Sequence, residues 1–193
     1  RALRGRMECQ MAGDQNRTST MGTSILSRFV ECSTQFPDNP AIFVGNRSYS
    51  YGELNGLSSA VCALLKAHGI TKGDRVGIFT ENNIYTYASV LGILSCAACY
   101  VPLNYDNPVE RNSGIIADAG IKVLLHTEKE DKARKLSVSP STECRPLNNR
   151  VTPNPGKLDP VDQMHGDLCY LLFTSGTTGK PKGVPIYYRN LAA

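Results

Sequence analysis

No run of about 18 uninterrupted apolar residues occurs in the chain, which speaks against a membrane-spanning helix. The most apolar stretch, Ala88 to Leu103, is broken by Ser89, Gly92, Ser95 and Pro102. It reads as a buried helix running into a strand. The front of the sequence lacks a basic segment followed by an apolar core, so no secretion signal is expected. A strong charge of one sign is missing too. There are 21 Lys and Arg against 17 Asp and Glu, a net charge of +4. Four of the bases and two of the acids lie in the first twenty positions, leaving the rest nearer neutral. That balance is too weak to argue for a nucleic-acid surface.

Nor is there a disulfide framework to read. The seven cysteines are an odd number, and Cys62, Cys96, Cys99 and Cys169 lie in apolar segments. A reducing cytoplasm is the expected setting. Cys96 and Cys99 form a lone C-x-x-C with no second ligand pair for zinc, so both are expected to be buried helix cysteines. No metal site is assigned. His68, His126 and His165 follow no metal or nucleophile spacing and read as surface or helix-end residues. Asn16-Arg17-Thr18 and Asn46-Arg47-Ser48 fit the glycosylation acceptor pattern, but without a secretion signal they carry no assignment.

What is present is the composition of a folded domain. The 193 residues are 41% hydrophobic and 20% charged, enough to bury a core. Residues 1–20 show no hydrophobic period and read as a disordered or non-native extension. The regular pattern occupies 21–193. Ile25, Leu26, Phe29 and Val30 predict a first helix to about Gln35. A hairpin is expected around Gly45-Asn46. Ser50 and Glu53 form a capping box for a second helix with an apolar stripe at Leu54, Leu57, Val61, Leu64 and Leu65, and Gly69 can close it. Strands at Val76–Phe79, Tyr100–Leu103 and Lys122–Leu125 alternate with helices starting near Asn83 and at Asn107-Pro108. The fold class is therefore α/β, a mostly parallel sheet flanked by helices on both faces. Residues 127–165 carry a charge run from Glu128 to Lys135 and five of the eleven prolines. The charge run is expected to be a solvated helix face, and the proline-rich stretch from Pro140 to Pro160 a surface connection rather than a core element.

The chemistry concentrates after Leu168–Phe173, a strand that could be buried on both faces. Directly behind it stand Thr174, Ser175, Gly176, Thr177, Thr178, Gly179, Lys180, Pro181, Lys182 and Gly183. Glycines let backbone N–H groups close on a phosphate. Hydroxyls add short donors, and a lysine adds a point charge. At the carboxyl end of a parallel strand, where such sheets bind ligands, that set favours a polyphosphate. The bland alternative is a Gly/Thr-rich surface turn. It is not a Walker loop, since Pro181 follows Gly179-Lys180 and Thr174 stands where the first glycine is needed. Val184 to Leu191 could begin a helix.

The run Phe173 to Val184 resembles the phosphate-loop signature of the adenylate-forming (AMP-binding) superfamily. That superfamily includes acyl-CoA synthetases, nonribosomal peptide synthetase adenylation domains and D-alanine–carrier-protein ligases. Ser48-Tyr49-Ser50-Tyr51-Gly52-Glu53-Leu54 and Tyr100-Val101-Pro102-Leu103 with Pro108-x-Glu110-Arg111 resemble two upstream blocks of the same superfamily, in the same order. For these upstream residues a structural role is expected, with Glu53 as a cap and Pro102 and Arg111 as determinants of the fold. The resemblance covers about residues 22–193 and implies the front portion of an adenylation domain, interrupted just after its phosphate loop. It implies ATP with Mg²⁺, a carboxylic or amino acid substrate, an acyl-adenylate and pyrophosphate as products, and CoA or a phosphopantetheinyl carrier protein as acceptor, with a lean toward amino acids. It places Thr174, Ser175, Gly176, Thr177, Thr178, Gly179 and Lys182 at the ATP phosphates. No catalytic residue is assigned, because that apparatus lies further along the superfamily's pattern. The 193 residues alone are expected to be inactive; the alternative is a non-catalytic product acting as a weak nucleotide-binding or interaction module. Many members have His where Tyr188 stands, which leaves the role of Tyr188 open.

Overall fold

The Ser24 hydroxyl accepts a hydrogen bond from the Ser27 N–H at 3.1 Å and starts α1 (Ile25–Gln35), satisfying an amide that a helix start leaves open. This is a computed structural model. It describes residues 24–127, 133, 135–136, 140–147, 151, 153–154, 156, 158–159, 166–175 and 181–191. The expected extension at 1–20, most of the charge run from Glu128, His165, and Gly176 to Lys180 lie outside the described residues.

After α1 the chain forms an antiparallel ribbon of β1 (Pro40–Val44) and β2 (Arg47–Ser50) around Gly45-Asn46. The second helix, α2 (Tyr51–Ala67), carries the predicted capping box. Glu53 N–H donates to the Ser50 hydroxyl at 3.2 Å, and Ser50 N–H donates to the Glu53 carboxylate at 2.8 Å. Leu54, Leu57, Val61 and Leu65 are buried on one stripe, and Leu64 packs at its margin. Each such side chain contributes about 1.5–3 kcal/mol when fully buried. Gly69 takes φ +70° beyond the helix end, a left-handed turn that glycine adopts without strain.

The main sheet follows. Its strands are β3 (Arg75–Phe79), β4 (Cys99–Pro102), β5 (Val123–His126), β6 (Glu143–Pro146), β7 (Leu168–Ser175) and β8 (Pro181–Tyr187). They lie in the order β6-β5-β3-β4-β7-β8. Every neighbouring pair is parallel except β7 and β8, which form an antiparallel hairpin. Helices α3 (Ile84–Leu94) and α4 (Val109–Ala119) supply the crossovers. Side chains alternate between the two faces, as strands require. Val76, Ile78, Val123 and Leu125 join the core beneath α2 and α3. Phe79, Val101 and Leu124 join a second core with Ile115, Ile116 and Ala119 of α4. The sheet is thus mostly parallel and flanked by helices on both faces, as the alternation of segments predicts.

Helices α2 and α3 approach closely where α3 has Gly92. A Cβ there would lie 2.8 Å from the Ser58 carbonyl oxygen and 2.9 Å from Val61 Cβ. Close backbone approach needs a residue without a side chain at that point.

Several expectations are corrected. Residues 140–160 are not merely a surface connection. β6 adds an edge strand to the sheet, and Leu147 and Leu158 are buried. Cys96 and Cys99 are buried but not helical: α3 ends at Leu94, Cys96 lies in the following turn, and Cys99 opens β4. His126 is buried at the end of β5, because β5 is covered on both faces. Pro108 is the residue before α4 and not its first helical residue. β7 is not buried on both faces, and Leu172 is 42% exposed. Val184–Tyr187 extends β8, and only Tyr188–Asn190 turns, as a short 3₁₀ helix.

Candidate functional site

β4 lies between β3 and β7. The chain leaving β4 crosses back through α4 to β5, whereas the chain leaving β7 turns outward into β8. Connections that diverge from adjacent strands open a crevice at their carboxyl ends, the usual ligand position in such sheets. The run from Thr174 to Lys182 therefore begins at the edge where a ligand of this architecture would sit.

The hairpin register places two of the sequence-derived site residues together. Thr174 pairs with Lys182, and Ser175 with Pro181. Residues directly opposite in an antiparallel ladder point to the same face, with Cβ atoms about 4.5–5.5 Å apart. Thr174 and Lys182 thus share a face, and both are exposed. A hydroxyl donor and an ammonium side by side in solvent form a pair suited to anionic oxygens. Gly176, Thr177, Thr178 and Gly179 lie outside the described residues, and for Ser175 only the backbone is described.

On the same face, one pair further from the hairpin tip, Leu172 stands opposite Val184. They are 42% and 39% exposed. The next pair brings Tyr170 beside Ile186, and the Tyr170 ring stacks on Tyr100 with centroids 4.9 Å apart. The opposite face of β7 packs through Leu171 and Phe173 against the α4 core. One side of the hairpin is therefore anchored, while the side carrying Thr174 and Lys182 stays open.

The rest of the carboxyl edge is rigidly built. Leu103 N–H donates to the Ile78 carbonyl at 2.9 Å, tying the exit of β4 to β3. Asn112 of α4 is 1% exposed. Its side-chain amide donates to the Asn104 carbonyl at 2.9 Å, and its side-chain oxygen accepts from the Asn107 amide at 3.2 Å. Tyr105 stacks on Phe79 at 4.9 Å. The sequence pattern gave Asn112 no special weight; a polar residue on the apolar side of a helix was the available signal. After β3, Tyr87 donates to the Asn82 side chain at 2.9 Å, and Thr80 and Thr86 share a hydrogen bond of 2.6 Å.

Tyr188 does not share the open face. It lies in the 3₁₀ turn, with its N–H donating to the Asp167 carbonyl at 3.1 Å. Burial holds its phenol well above the ordinary tyrosine range. Burial likewise pushes the nearby Cys169 thiol up to about 11. Tyr188 therefore lies in the turn that follows β8 and not among the residues of the open face. The upstream residues Glu53 and Pro102 also have structural positions, in the α2 cap and at the end of β4. Among the described residues no group of three or more His, Cys, Asp or Glu could hold a metal ion.

Comparisons with known proteins agree on one family. A family model described as AMP-binding enzyme matches residues 29–193. Surfactin synthase subunit 1 of Bacillus subtilis (strain 168) is 33% identical over 170 residues, covering 84% of this chain and 5% of that protein. The chain spans only about 4–5% of the length of the first such relatives. Among solved structures, the Klebsiella oxytoca NpsA N-terminal subdomain matches with a TM-score of 0.74 and 27% identity, over 88% of this chain and 43% of that one. The nonribosomal peptide synthetase FmoA3, solved with α-methyl-L-serine-AMP bound, matches with a TM-score of 0.77 and 26% identity, over 88% of this chain and 18% of that one.

Proposed function

The chain belongs to the AMP-binding enzyme family, and on that premise we propose that it is the front portion of an adenylation domain, the portion that presents the ATP phosphate loop. The parent protein then joins a carboxylic acid to ATP, forming an acyl-adenylate and pyrophosphate. A thiol, from CoA or a carrier-protein phosphopantetheine, takes the acyl group afterwards. An amino acid is the favoured substrate, because the similar nonribosomal peptide synthetase FmoA3 was solved with α-methyl-L-serine-AMP bound. The 193 residues alone do not complete the reaction on this reading. Free cysteines and a near-neutral charge balance support a cytoplasmic setting without nucleic-acid or membrane partners.

One observation carries the proposal: Thr174 and Lys182 lie opposite each other on the open face of the β7–β8 hairpin, at the carboxyl edge of a parallel sheet. Pyrophosphate is a highly charged leaving group. A lysine and hydroxyl and amide donors held at its oxygens lower the cost of the charge that develops as it departs. Thr174, Ser175, Gly176, Thr177, Thr178 and Gly179 would wrap the β- and γ-phosphates, with Lys182 as the cation. Mg²⁺ enters as a companion of the ATP phosphates, and no residue of the chain is assigned to it.

The test is amino-acid-dependent ATP–pyrophosphate exchange by the full-length protein, comparing wild type with Lys182→Ala. Removing one such donor costs about 10²–10³-fold in rate. Because Lys182 is exposed, stability should shift by no more than about 0.5 kcal/mol. Unchanged exchange in the variant removes Lys182 from the phosphate site.

A further inference from the structure

Cys62 of α2 and Cys96, in the turn between α3 and β4, meet across the interface of the two helices. Their Sγ atoms are 3.5 Å apart. Both residues are buried, 7% and 8% exposed. The close approach at Gly92 brings α2 near enough for the contact. The turn holds Cys96 in place. Cys96 N–H donates to the Ile93 carbonyl at 3.0 Å, and Ala97 N–H donates to the Leu94 carbonyl at 2.9 Å. Ala97 itself has φ +51°, a left-handed conformation that costs a non-glycine residue energy and persists only where surrounding structure enforces it.

The electrostatics single out one sulfur. The hydrogen bond from Cys96 holds the Cys62 thiol below the ordinary cysteine range, against the opposing effect of burial, and the Lys66 ammonium one turn along α2 assists. Asp159 opposes it weakly from the neighbouring segment. Cys96 moves the other way, as the proton-bearing partner. By contrast, burial pushes Cys99 up to about 12. A thiolate beside a cation with a second thiol at hand is the arrangement in which cysteine oxidation is selective.

We propose that Cys62 and Cys96 are a redox pair that hydrogen peroxide converts to a disulfide, tying α2 to the turn between α3 and β4. The Cys62 sulfur attacks one peroxide oxygen. The S–O bond forms as the O–O bond breaks, and the leaving oxygen takes a proton and departs as water. Cys96 then attacks the resulting sulfenic sulfur. The S–S bond forms, the S–O bond breaks, and the hydroxide leaves with the Cys96 proton as a second water. Two thiols lose two electrons and peroxide gains them. The sulfurs must close from 3.5 Å to about 2.0 Å, a distance that side-chain rotation and small helix shifts can cover.

The test uses the folded full-length protein. Peroxide is raised stepwise until any cysteine of this chain is half oxidised. Remaining thiols are then blocked with N-ethylmaleimide in denaturant, and the non-reduced protein is digested and mapped by mass spectrometry. The expected first product is one peptide pair joining Cys62 to Cys96, which dithiothreitol separates. If any other cysteine reaches half oxidation while Cys62 and Cys96 remain blockable, the proposal is overturned. Cys62 accumulating as sulfinic acid without the link, or linked elsewhere, overturns it equally.

Discussion

Gly92→Ala puts the packing of α2 against α3 to a direct test. The added Cβ would lie 2.8 Å from the Ser58 carbonyl oxygen and 2.9 Å from both Val61 Cβ and Cγ1. The carbonyl belongs to the α2 backbone, and Val61 is fully buried. Neither can swing aside, so the two helices must separate by several tenths of an ångström along their contact. Overpacking of this kind costs about 1–3 kcal/mol, and the rigid obstacle argues for the upper end. Replacing Gly by Ala inside a helix returns about 1 kcal/mol. The net expectation is a loss of about 2 kcal/mol, which is roughly a 30-fold shift in the opening equilibrium. Hydrogen exchange by mass spectrometry on the full-length protein reads this locally. The slowest amides of α2 and α3 should exchange about 30-fold faster. Gly114→Ala is the control, since Gly114 lies on the exposed side of α4 with nothing within 4 Å of an added Cβ. There only the helix preference acts, and α4 should exchange more slowly by up to about fivefold, or about 1 kcal/mol. If Gly92→Ala exchanges like wild type, or slows as Gly114→Ala does, the close approach is not what holds the helices together.

Two further outcomes follow from local geometry. Ser50→Ala removes the hydroxyl that accepts the Glu53 N–H, one of the two reciprocal hydrogen bonds at the start of α2, and should destabilise that helix by about 1 kcal/mol, seen as faster exchange confined to its first turns. Partial burial pushes the Asp74 carboxyl up, but hydrogen bonds from Lys122 and from the Thr71 amide and hydroxyl outweigh it, so its pKa lies below the usual carboxylate value. A depressed carboxylate contributes stability that is present above its unfolded pKa, about 3.9, and is lost as pH falls through the lower folded value. Acid unfolding curves should therefore show wild type more stable than Asp74→Asn above about pH 4, with the difference shrinking as pH falls through the depressed folded value.

The capped and periodic parts of the fold were legible because each signal acts locally. Ser50 with Glu53, Gly69 after α2 and Asn83 before α3 stand where their chemistry is needed. The edges were not. β6 reads Glu-Cys-Arg-Pro, with neither alternation nor an apolar run, and it is a strand because β5 offers it a ladder. β8 contains Pro181, Gly183 and Pro185, all disfavoured in a strand interior, and it is held by pairing with β7. The motif located the candidate loop, but it did not indicate the hairpin, and only the register showed that Thr174 and Lys182 share a face. The Cys62–Cys96 contact joins residues far apart in sequence and depends on the depth at which α3 settles on α2. No spacing rule carries that information.

β8 has a consequence for how this sheet can meet other strands. Pro181, Gly183 and Pro185 occupy the same side of its alternation, and two of the three have no N–H. Since pairing with β7 survives both prolines, the missing donors belong on the outward side. A strand laid along that side would find carbonyl oxygens but a depleted row of amides. Edge-to-edge association, the hazard of any bare sheet margin, is thereby discouraged beside the exposed Leu172 and Val184.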